Sequence, residues 1–143
     1  MDWITYTYEF QVRFRDTDAY GIVHHSNYFC FFEEARYEFS KVMLGMYDGN
    51  EDMEELKFPV LKAECEYRHA LEYDMKDYII NLKFRIEGES KIEFRYELCR
   101  KDEKKVYARG KTVHGILDKN DKLCLVIPQW LRNQIEGKVN DEG

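Results

Sequence analysis

The stretch Arg15–Tyr28, with the sequence RDTDAYGIVHHSNY, holds residues whose types and spacing suit a reaction site. It contains two carboxylates, two histidines and a glycine, namely Asp16, Asp18, Gly21, His24 and His25. The backbone NH groups in the first turn of a helix have no intrahelical acceptor, so they can hold an oxygen on which negative charge develops. Asp18 lies just upstream of a segment with a helical pattern. The junction therefore could combine a carboxylate with an oxyanion-binding backbone.

A carboxylate beside a polarised carbonyl can act in two ways. Asp18 could take a proton from an attacking water, or it could attack the carbonyl itself and form a mixed anhydride. The sequence leaves both routes open. Asp16 is interpreted differently, because Arg13 and Arg15 offer it a partner for a turn or an ion pair.

Other catalytic patterns are missing from the sequence. It has no serine-histidine-acid order, no glycine-rich phosphate loop and no close metal-ligand spacing. The four cysteines lie much further apart than the members of a CxxC pair. They are Cys30, Cys65, Cys99 and Cys124. We therefore expect no metal and no cofactor, and we expect reduced, mostly buried thiols.

Composition and charge limit the functional classes. The chain has 143 residues, of which 44% are hydrophobic, enough for the core of one domain. Its formal net charge is −6, and an acidic cluster within residues 48–55 would repel a phosphate backbone, so we expect no nucleic-acid partner. The sequence shows no leader-like opening and no run of ~20 apolar residues, so we expect no membrane span and a cytoplasmic location.

Hydrophobic periodicity predicts the elements that must position the reactive stretch. A two-residue period over Thr5–Arg15 predicts a half-buried strand with Phe14 on its apolar face. From Asn27 the period becomes helical, with Ser26 or Asn27 as the N-cap and Gly45 as the stop. Such a helix would be about 27 to 30 Å long, close to the width of a five-stranded sheet.

Strand patterns dominate the rest of the chain. Residues 47–57 show no period and predict an exposed acidic loop. Three two-faced strands follow, with the apolar residues Leu61, Ala63, Cys65 and Tyr67, then Tyr78, Ile80, Leu82, Phe84 and Ile86, then Ile92, Phe94, Tyr96 and Leu98. A last long strand, Lys105–Asp118, has small residues around Gly110, which would let the helix lie close to the sheet. His69 and His114 are interpreted as ordinary strand residues.

The C-terminal segment predicts a turn at Lys119–Lys122, a short strand through Val126, and a helix that opens at Ile127 and ends near residues 134–135. The polar tail after Gly137 is expected to be frayed. Because the long strands are two-faced and a single long helix is predicted, the pattern favours an α+β domain in which an antiparallel sheet wraps around that helix. We expect the whole chain, 1–143, to form this one domain.

Residues of the reactive stretch match a known family. They are Asp16, Thr17, Asp18, Ala19, Gly21, Val23, His25 and Tyr28, followed by Glu34, Ala35 and Arg36. The segments FPVLKAECEYRHAL and GKTVHGILD continue the likeness downstream. In these features the chain closely resembles the hotdog-fold acyl-CoA thioesterases of the 4-hydroxybenzoyl-CoA thioesterase and YbgC-type branch. Tyr20 departs from that pattern, which often has glycine there.

The resemblance implies a hotdog fold with five or slightly more strands, an acyl-CoA substrate, and a homodimer or homotetramer with active sites at the subunit interface. It puts the nucleophile or base on Asp18 and the carbonyl-polarising backbone NH on His25. The His25 side chain could orient water or Asp18. Glu33 and Glu34 are the alternative catalysts, because another hotdog thioesterase branch uses a helix glutamate.

Substrate contacts are predicted in the same stretch and in one strand connection. The predicted acyl-pocket and entrance residues are Tyr20, Gly21, Val23, Tyr28 and Phe32, although core packing also explains Tyr28 and Phe32. Ser90 and Lys91, together with Arg68, are the candidates for contacts to the phosphates and pantetheine arm of CoA.

Two other functional classes fit the same fold. A hydratase or dehydratase of acyl thioesters also uses an acid and a histidine, but relatives of that class space the pair differently from Asp18 and His25. A non-catalytic acyl-CoA-binding module would gain little from a buried carboxylate beside a neutral thioester, because burying the charge costs desolvation.

Overall fold

Five antiparallel strands form one sheet. The computed structural model describes residues 3–46 and 56–142, without the side chains of 139–142. The strands are β1 (Ile4–Gln11), β2 (Val60–Tyr67), β3 (Asp77–Glu87), β4 (Lys91–Arg100) and β5 (Val106–His114). Their order across the sheet is β1-β3-β4-β5-β2, so β1 and β2 are the edges. The predicted acidic loop lies mostly outside the described residues.

Helix α1 (Ser26–Met43) packs its apolar stripe against the inner face of this sheet. With 18 residues it is about 27 Å long. Gly45 ends it as predicted, since this glycine has a φ of 68° and the Met46 NH reaches back to the Ser40 carbonyl at 3.1 Å. The predicted N-cap was wrong by one residue, because His25 holds that position and Ser26 is already helical.

Aromatic rings fill the space between helix and sheet. Phe32 stacks on Tyr96 with the ring centroids 4.4 Å apart, and Phe39 lies 5.1 Å from Phe84. The helix approaches β5 closely at Gly110, where an added Cβ would lie 2.8 Å from Cζ of Phe32. These contacts confirm that an antiparallel sheet wraps around helix α1, which is the hotdog architecture.

A buried polar chain crosses this core and was not predicted. The Arg36 guanidinium donates to the Tyr96 hydroxyl at 3.1 Å, and Tyr96 lies 2.7 Å from the Thr112 hydroxyl. Thr112 is 2.8 Å from Nε2 of His114, whose Nδ1 is 2.9 Å from the Phe58 carbonyl. Because a carbonyl can only accept, Nδ1 carries the proton and Nε2 of the neutral ring accepts from Thr112.

Strand β1 is shorter than its sequence pattern predicted. It ends at Gln11, and a single 3-10 turn, Phe14–Asp16, follows. The turn closes because the Asp16 carboxylate accepts the backbone NH of Arg13 at 2.8 Å. Phe14 is therefore 75% exposed instead of lying on the apolar face of a strand.

The C-terminal elements also differ from the pattern. The Lys119–Lys122 turn is confirmed, and the Asp118 carboxylate accepts backbone NH groups within it. Within the described residues, the segment around Val126 forms no strand, only an isolated bridge between Leu117 and Leu123. Helix α2 (Gln129–Glu142) begins two residues after Ile127 and runs past Gly137, so its predicted end near residues 134–135 is wrong.

The cysteines are free thiols, but the expectation that most are buried is wrong. Cys99 is buried, Cys65 and Cys124 are partly exposed, and Cys30 is exposed. In the part of the chain that the structure describes, no helix combines the length and apolar character needed to cross a membrane.

Burial of His114 predicts a pH dependence of stability. Desolvation lowers its pKa from the usual 6.5 to about 4, so the unfolded chain binds more protons between these values. The free energy of unfolding should therefore fall as the pH drops from 6.5 towards 4, by on the order of 2 kcal/mol at pH 4.5.

Urea unfolding of the wild type and of His114→Gln at pH 7 and pH 4.5 checks this. The variant should lose less stability on acidification than the wild type, since carboxylate titrations are common to both. An equal loss in both proteins would contradict the assignment.

Candidate active site

Asp18 lies in a tight loop that leads from the 3-10 turn to helix α1. The loop is closed by an isolated bridge between Thr17 and Val23, and the Asp18 NH donates to the Ile22 carbonyl at 2.8 Å. Gly21 takes a φ of 81°, which a side chain would resist, and its NH donates to the Asp18 carbonyl at 3.0 Å. The local sequence thus fixes the backbone of Asp18.

One oxygen of the Asp18 carboxylate is occupied. Oδ1 accepts the Tyr20 backbone NH at 2.8 Å, as short polar side chains often do in turns. Oδ2 accepts no hydrogen bond from the described residues, and the side chain is partly exposed. The carboxylate is therefore held in orientation while one oxygen stays available.

Asp16 ties this loop to the helix. Its carboxylate, nearly fully buried, accepts from the backbone and guanidinium of Arg13 at 2.8 to 3.3 Å. Its carbonyl accepts the His24 NH at 3.0 Å and the Asn27 side-chain amide at 2.8 Å. The ion pair anticipated for Asp16 is formed with Arg13.

The first helical turn leaves one backbone NH without an acceptor. The Ser26 NH donates to Nδ1 of His24 at 3.3 Å, and the Asn27 NH donates to the His24 carbonyl at 2.9 Å. The Tyr28 NH reaches the His25 carbonyl at 3.3 Å. Within residues 3–46 and 56–142, the His25 NH meets no acceptor. This NH is the one that the resemblance singles out.

A cleft of about 400 Å³ brings these groups together. Its walls come from the loop, from the start of α1, from the end of β2 and from the segment that follows β2. They are Asp18, Tyr20, Ile22, Val23, His25, Tyr28, Tyr67, Arg68, His69 and Ala70. Tyr20 stands at its mouth with 87% of its surface exposed.

Tyr67 joins the two sides of the cleft and was missed as a site residue. Its hydroxyl donates to the His25 carbonyl at 3.2 Å, and its ring meets Tyr28 edge-on with centroids 4.8 Å apart. Burial raises the pKa of Tyr67 to about 12, and burial also raises that of Tyr28. Both phenols therefore stay neutral hydrogen-bond donors at neutral pH.

Some residues singled out from the sequence lie elsewhere. Phe32 is fully buried against Tyr96. Ser90 lies in the connection between β3 and β4, and Lys91 is the first residue of β4. None of these three residues lines the cleft. Gly21 shapes the loop backbone without lining the cleft. His69 was predicted to be a strand residue, but it lies in the segment after β2.

The sequence did carry one sign of this second wall of the cleft. Residues 67–69 combine an aromatic side chain with two basic ones.

The helix glutamates are directed away from the cleft. Glu34 accepts from the Tyr8 hydroxyl at 3.1 Å and from Arg13 at 3.4 Å. Glu33 and Glu34 line a different depression, beside Tyr8 and Cys30. Among the described residues no group of three or more metal-ligating side chains is gathered.

The chain matches a known family. The model of the thioesterase-like superfamily matches residues 12–135, so the chain belongs to this superfamily. It is therefore an enzyme of the thioester hydrolase class.

Individual relatives support the family assignment. A protein of Aquifex aeolicus (strain VF5) described as a "Putative esterase" is 37% identical over 85% of this chain and 91% of its own length. The crystal structure of a hypothetical Aquifex aeolicus protein has a TM-score of 0.77 and 35% identity, covering 90% of this chain and 98% of that one. A gentisyl-coenzyme A thioesterase has a TM-score of 0.74 and 25% identity, covering 89% of this chain and 99% of that one.

Replacing the two aspartates of the loop should have different effects on the free energy of unfolding. Asp16→Asn removes a charge that holds buried hydrogen bonds from Arg13, so we expect the free energy of unfolding to fall by about 1 to 3 kcal/mol. Asp18→Asn keeps the carbonyl oxygen that accepts from Tyr20, so its loss should be smaller. Urea unfolding of both variants measures the difference, and an equal loss would contradict the anchoring role of Asp16.

Proposed function

We propose that this enzyme hydrolyses an acyl-CoA thioester to the free acid and CoA in the cleft around Asp18. One observation carries the proposal: the open oxygen of the Asp18 carboxylate and the acceptor-free NH of His25 belong to residues of the same cleft. A thioester needs little more than these two groups and water, because its carbonyl is already activated.

The reaction follows from these positions. The His25 NH donates to the thioester carbonyl oxygen and stabilises the negative charge that develops there. Asp18 either takes a proton from the attacking water or attacks the carbonyl carbon to give a mixed anhydride that water then opens. In both routes the carbon–sulfur bond breaks and the CoA thiolate leaves, taking up a proton.

The histidine side chains have different roles in this proposal. His24 is held by Ser26, whose hydroxyl lies 2.8 Å from Nδ1, so its ring is tied to the helix start. The His25 ring lies against Tyr67, with centroids 6.4 Å apart, and remains exposed on the cleft. We assign the His25 ring to orienting water or Asp18.

The acyl group is proposed to contact Tyr20, Val23 and Tyr28, with Gly21 shaping the entrance. Phe32 sits one layer deeper and supports the wall. The CoA arm is assigned to Arg68 from the same cleft and to Ser90 and Lys91, which a second subunit would supply. From the matching motif around Asp18 and His25 we further propose membership of the YbgC-type branch, and we propose a cytoplasmic location.

Asp18→Asn tests the catalytic assignment. The change keeps the size and the turn hydrogen bond but removes the charge, so kcat should fall by about 10²-fold or more while KM changes much less. Thiol release from short, medium, long and aromatic acyl-CoAs gives both constants. This assay also separates hydrolysis from the hydratase and binding-module alternatives, since neither of them releases thiol.

Matched variants locate the chemistry further. Asp16→Asn should cost considerably less in kcat, and His25→Ala an intermediate amount because its backbone NH stays in place. Near-normal turnover of Asp18→Asn, combined with loss of activity in Glu33→Gln or Glu34→Gln, would move the catalyst onto the helix.

We propose a homodimer or homotetramer in which the subunits pair through the edge strand β2. This strand pairs with β5 on one side, and its other side carries no strand of the described chain. Exposed apolar side chains lie on this strand and on the segment between β5 and α2, and we propose them for the interface surface: Val60, Leu61, Leu123, Leu125 and Val126. Pairing β2 with its copy would cover this surface and satisfy the open backbone groups.

Leu61→Glu tests the interface. Leu61 is 52% exposed, so the change should leave the subunit folded but place a charge where the two edges meet. We expect the wild type to run at two or four times 17.3 kDa at micromolar concentration and the variant to shift towards the single-chain mass. Val42→Glu, on a helix residue that is 59% exposed, is the matched control and should not shift.

A further inference from the structure

Three cations lie side by side on the outer face of the sheet, away from the proposed cleft. Lys83 of β3 pairs directly with Arg95 of β4, and Arg95 pairs directly with Lys111 of β5. Direct cross-strand partners on one face have Cβ atoms roughly 4.5 to 5.5 Å apart, so like charges there destabilise a sheet. We call Lys83, Arg95 and Lys111 the cationic row.

One buried carboxylate partly compensates for this charge. Glu93 is fully buried although it sits on the outer face, and it pairs with Arg85 at 2.6 Å, Lys111 at 3.2 Å and Arg95 at 3.3 Å. Burial alone would raise the pKa of Glu93, but the hydrogen bonds from Arg85 and Lys111 outweigh it and hold the pKa below its usual value. Three cations therefore share a single negative charge.

The arginines around Glu93 use only some of their guanidinium nitrogens to bind its carboxylate. Arg85 and Arg95 bind Glu93 through Nε, and their remaining guanidinium nitrogens meet no acceptor in the described part of the chain. Trp3 lies over both guanidinium groups, whose central carbons are 4.3 and 5.1 Å from its ring centroid. Lys83 has no ion-pair partner among the described residues. The cluster keeps a net positive charge.

A depression of about 550 Å³ opens beside the cationic row and is lined by all three of its side chains. Other charges around it are already neutralised within the chain. Arg109 pairs with Glu97 at 2.8 Å, and Arg68 pairs with Glu66 at 2.6 Å. Glu64 of β2 pairs with Lys62 at 2.8 Å and is also the direct cross-strand partner of Lys111. Glu93 and Glu64 therefore offset part of the charge at Lys111, and the uncompensated charge of this surface lies mainly on Lys83 and on the two arginines that share Glu93.

We propose that the cationic row binds an anion carrying a diphosphate group. Adjacent phosphates carry several negative charges over a few ångströms, which matches three cations in neighbouring strands, and guanidinium groups bind phosphate oxygens well. Such a ligand would remove the repulsion that the free sheet carries. The group could belong to free inorganic or organic diphosphates or to the nucleotide end of coenzyme A.

Lys83→Gln is expected to raise the stability of the free protein and to weaken its binding of pyrophosphate. Without ligand, the variant should unfold at higher urea concentration than the wild type, because a repulsive cation is gone. Titration calorimetry with inorganic pyrophosphate at constant ionic strength should show saturable binding to the wild type and roughly tenfold weaker binding to the variant. Lys41→Gln, an equal charge change on helix α1, should leave pyrophosphate binding unchanged.

A second titration, with coenzyme A, shows whether the bound diphosphate group belongs to coenzyme A or to a free diphosphate. Weaker coenzyme A binding in Lys83→Gln would assign the row to its nucleotide end, whereas unchanged coenzyme A binding together with weaker pyrophosphate binding would assign it to free diphosphates. The proposal is overturned if pyrophosphate binding is not saturable, or if Lys83→Gln and Lys41→Gln respond alike.

Discussion

The close approach of helix α1 to strand β5 is the constraint on which the rest of this structure depends. Gly110 leaves no Cβ beneath the ring of Phe32, so the helix can settle onto the sheet at that point. Phe32 then stacks on Tyr96, whose hydroxyl is held by Thr112 and Arg36. A larger residue at 110 would lift the helix and break both the stack and the buried polar chain.

The position of the helix decides the geometry of the cleft. Because the backbone of Asp16 binds His24 and Asn27, the loop that carries Asp18 moves with the N-terminus of α1. Tyr67 attaches the same N-terminus to the end of β2 through the carbonyl of His25. The cleft is thus built at the point where helix, loop and edge strand are tied together.

Sequence periodicity predicted the parts of the fold in which one face is covered by the chain itself. Strands β3 and β4 and the buried face of α1 follow their patterns closely, because burial selects apolar residues at regular intervals. The pattern could not tell that Leu61 of β2 stays exposed, since periodicity shows which residues share a face but not whether anything covers that face. The roles of His114 and Tyr67 depend on contacts with residues distant in sequence, which a local pattern does not contain.

Hydrogen bonding separates two aspartates that the sequence places only two residues apart. Asp16 is nearly fully buried, and both its carboxylate oxygens are occupied by Arg13, so neither oxygen is free to react unless the buried carboxylate gives up a hydrogen bond. Asp18 has one oxygen fixed by Tyr20 and one open to the cleft. A group can act on a substrate only with atoms that folding has not already used, and this difference in hydrogen bonding is why we propose Asp18, and not Asp16, as the reactive carboxylate.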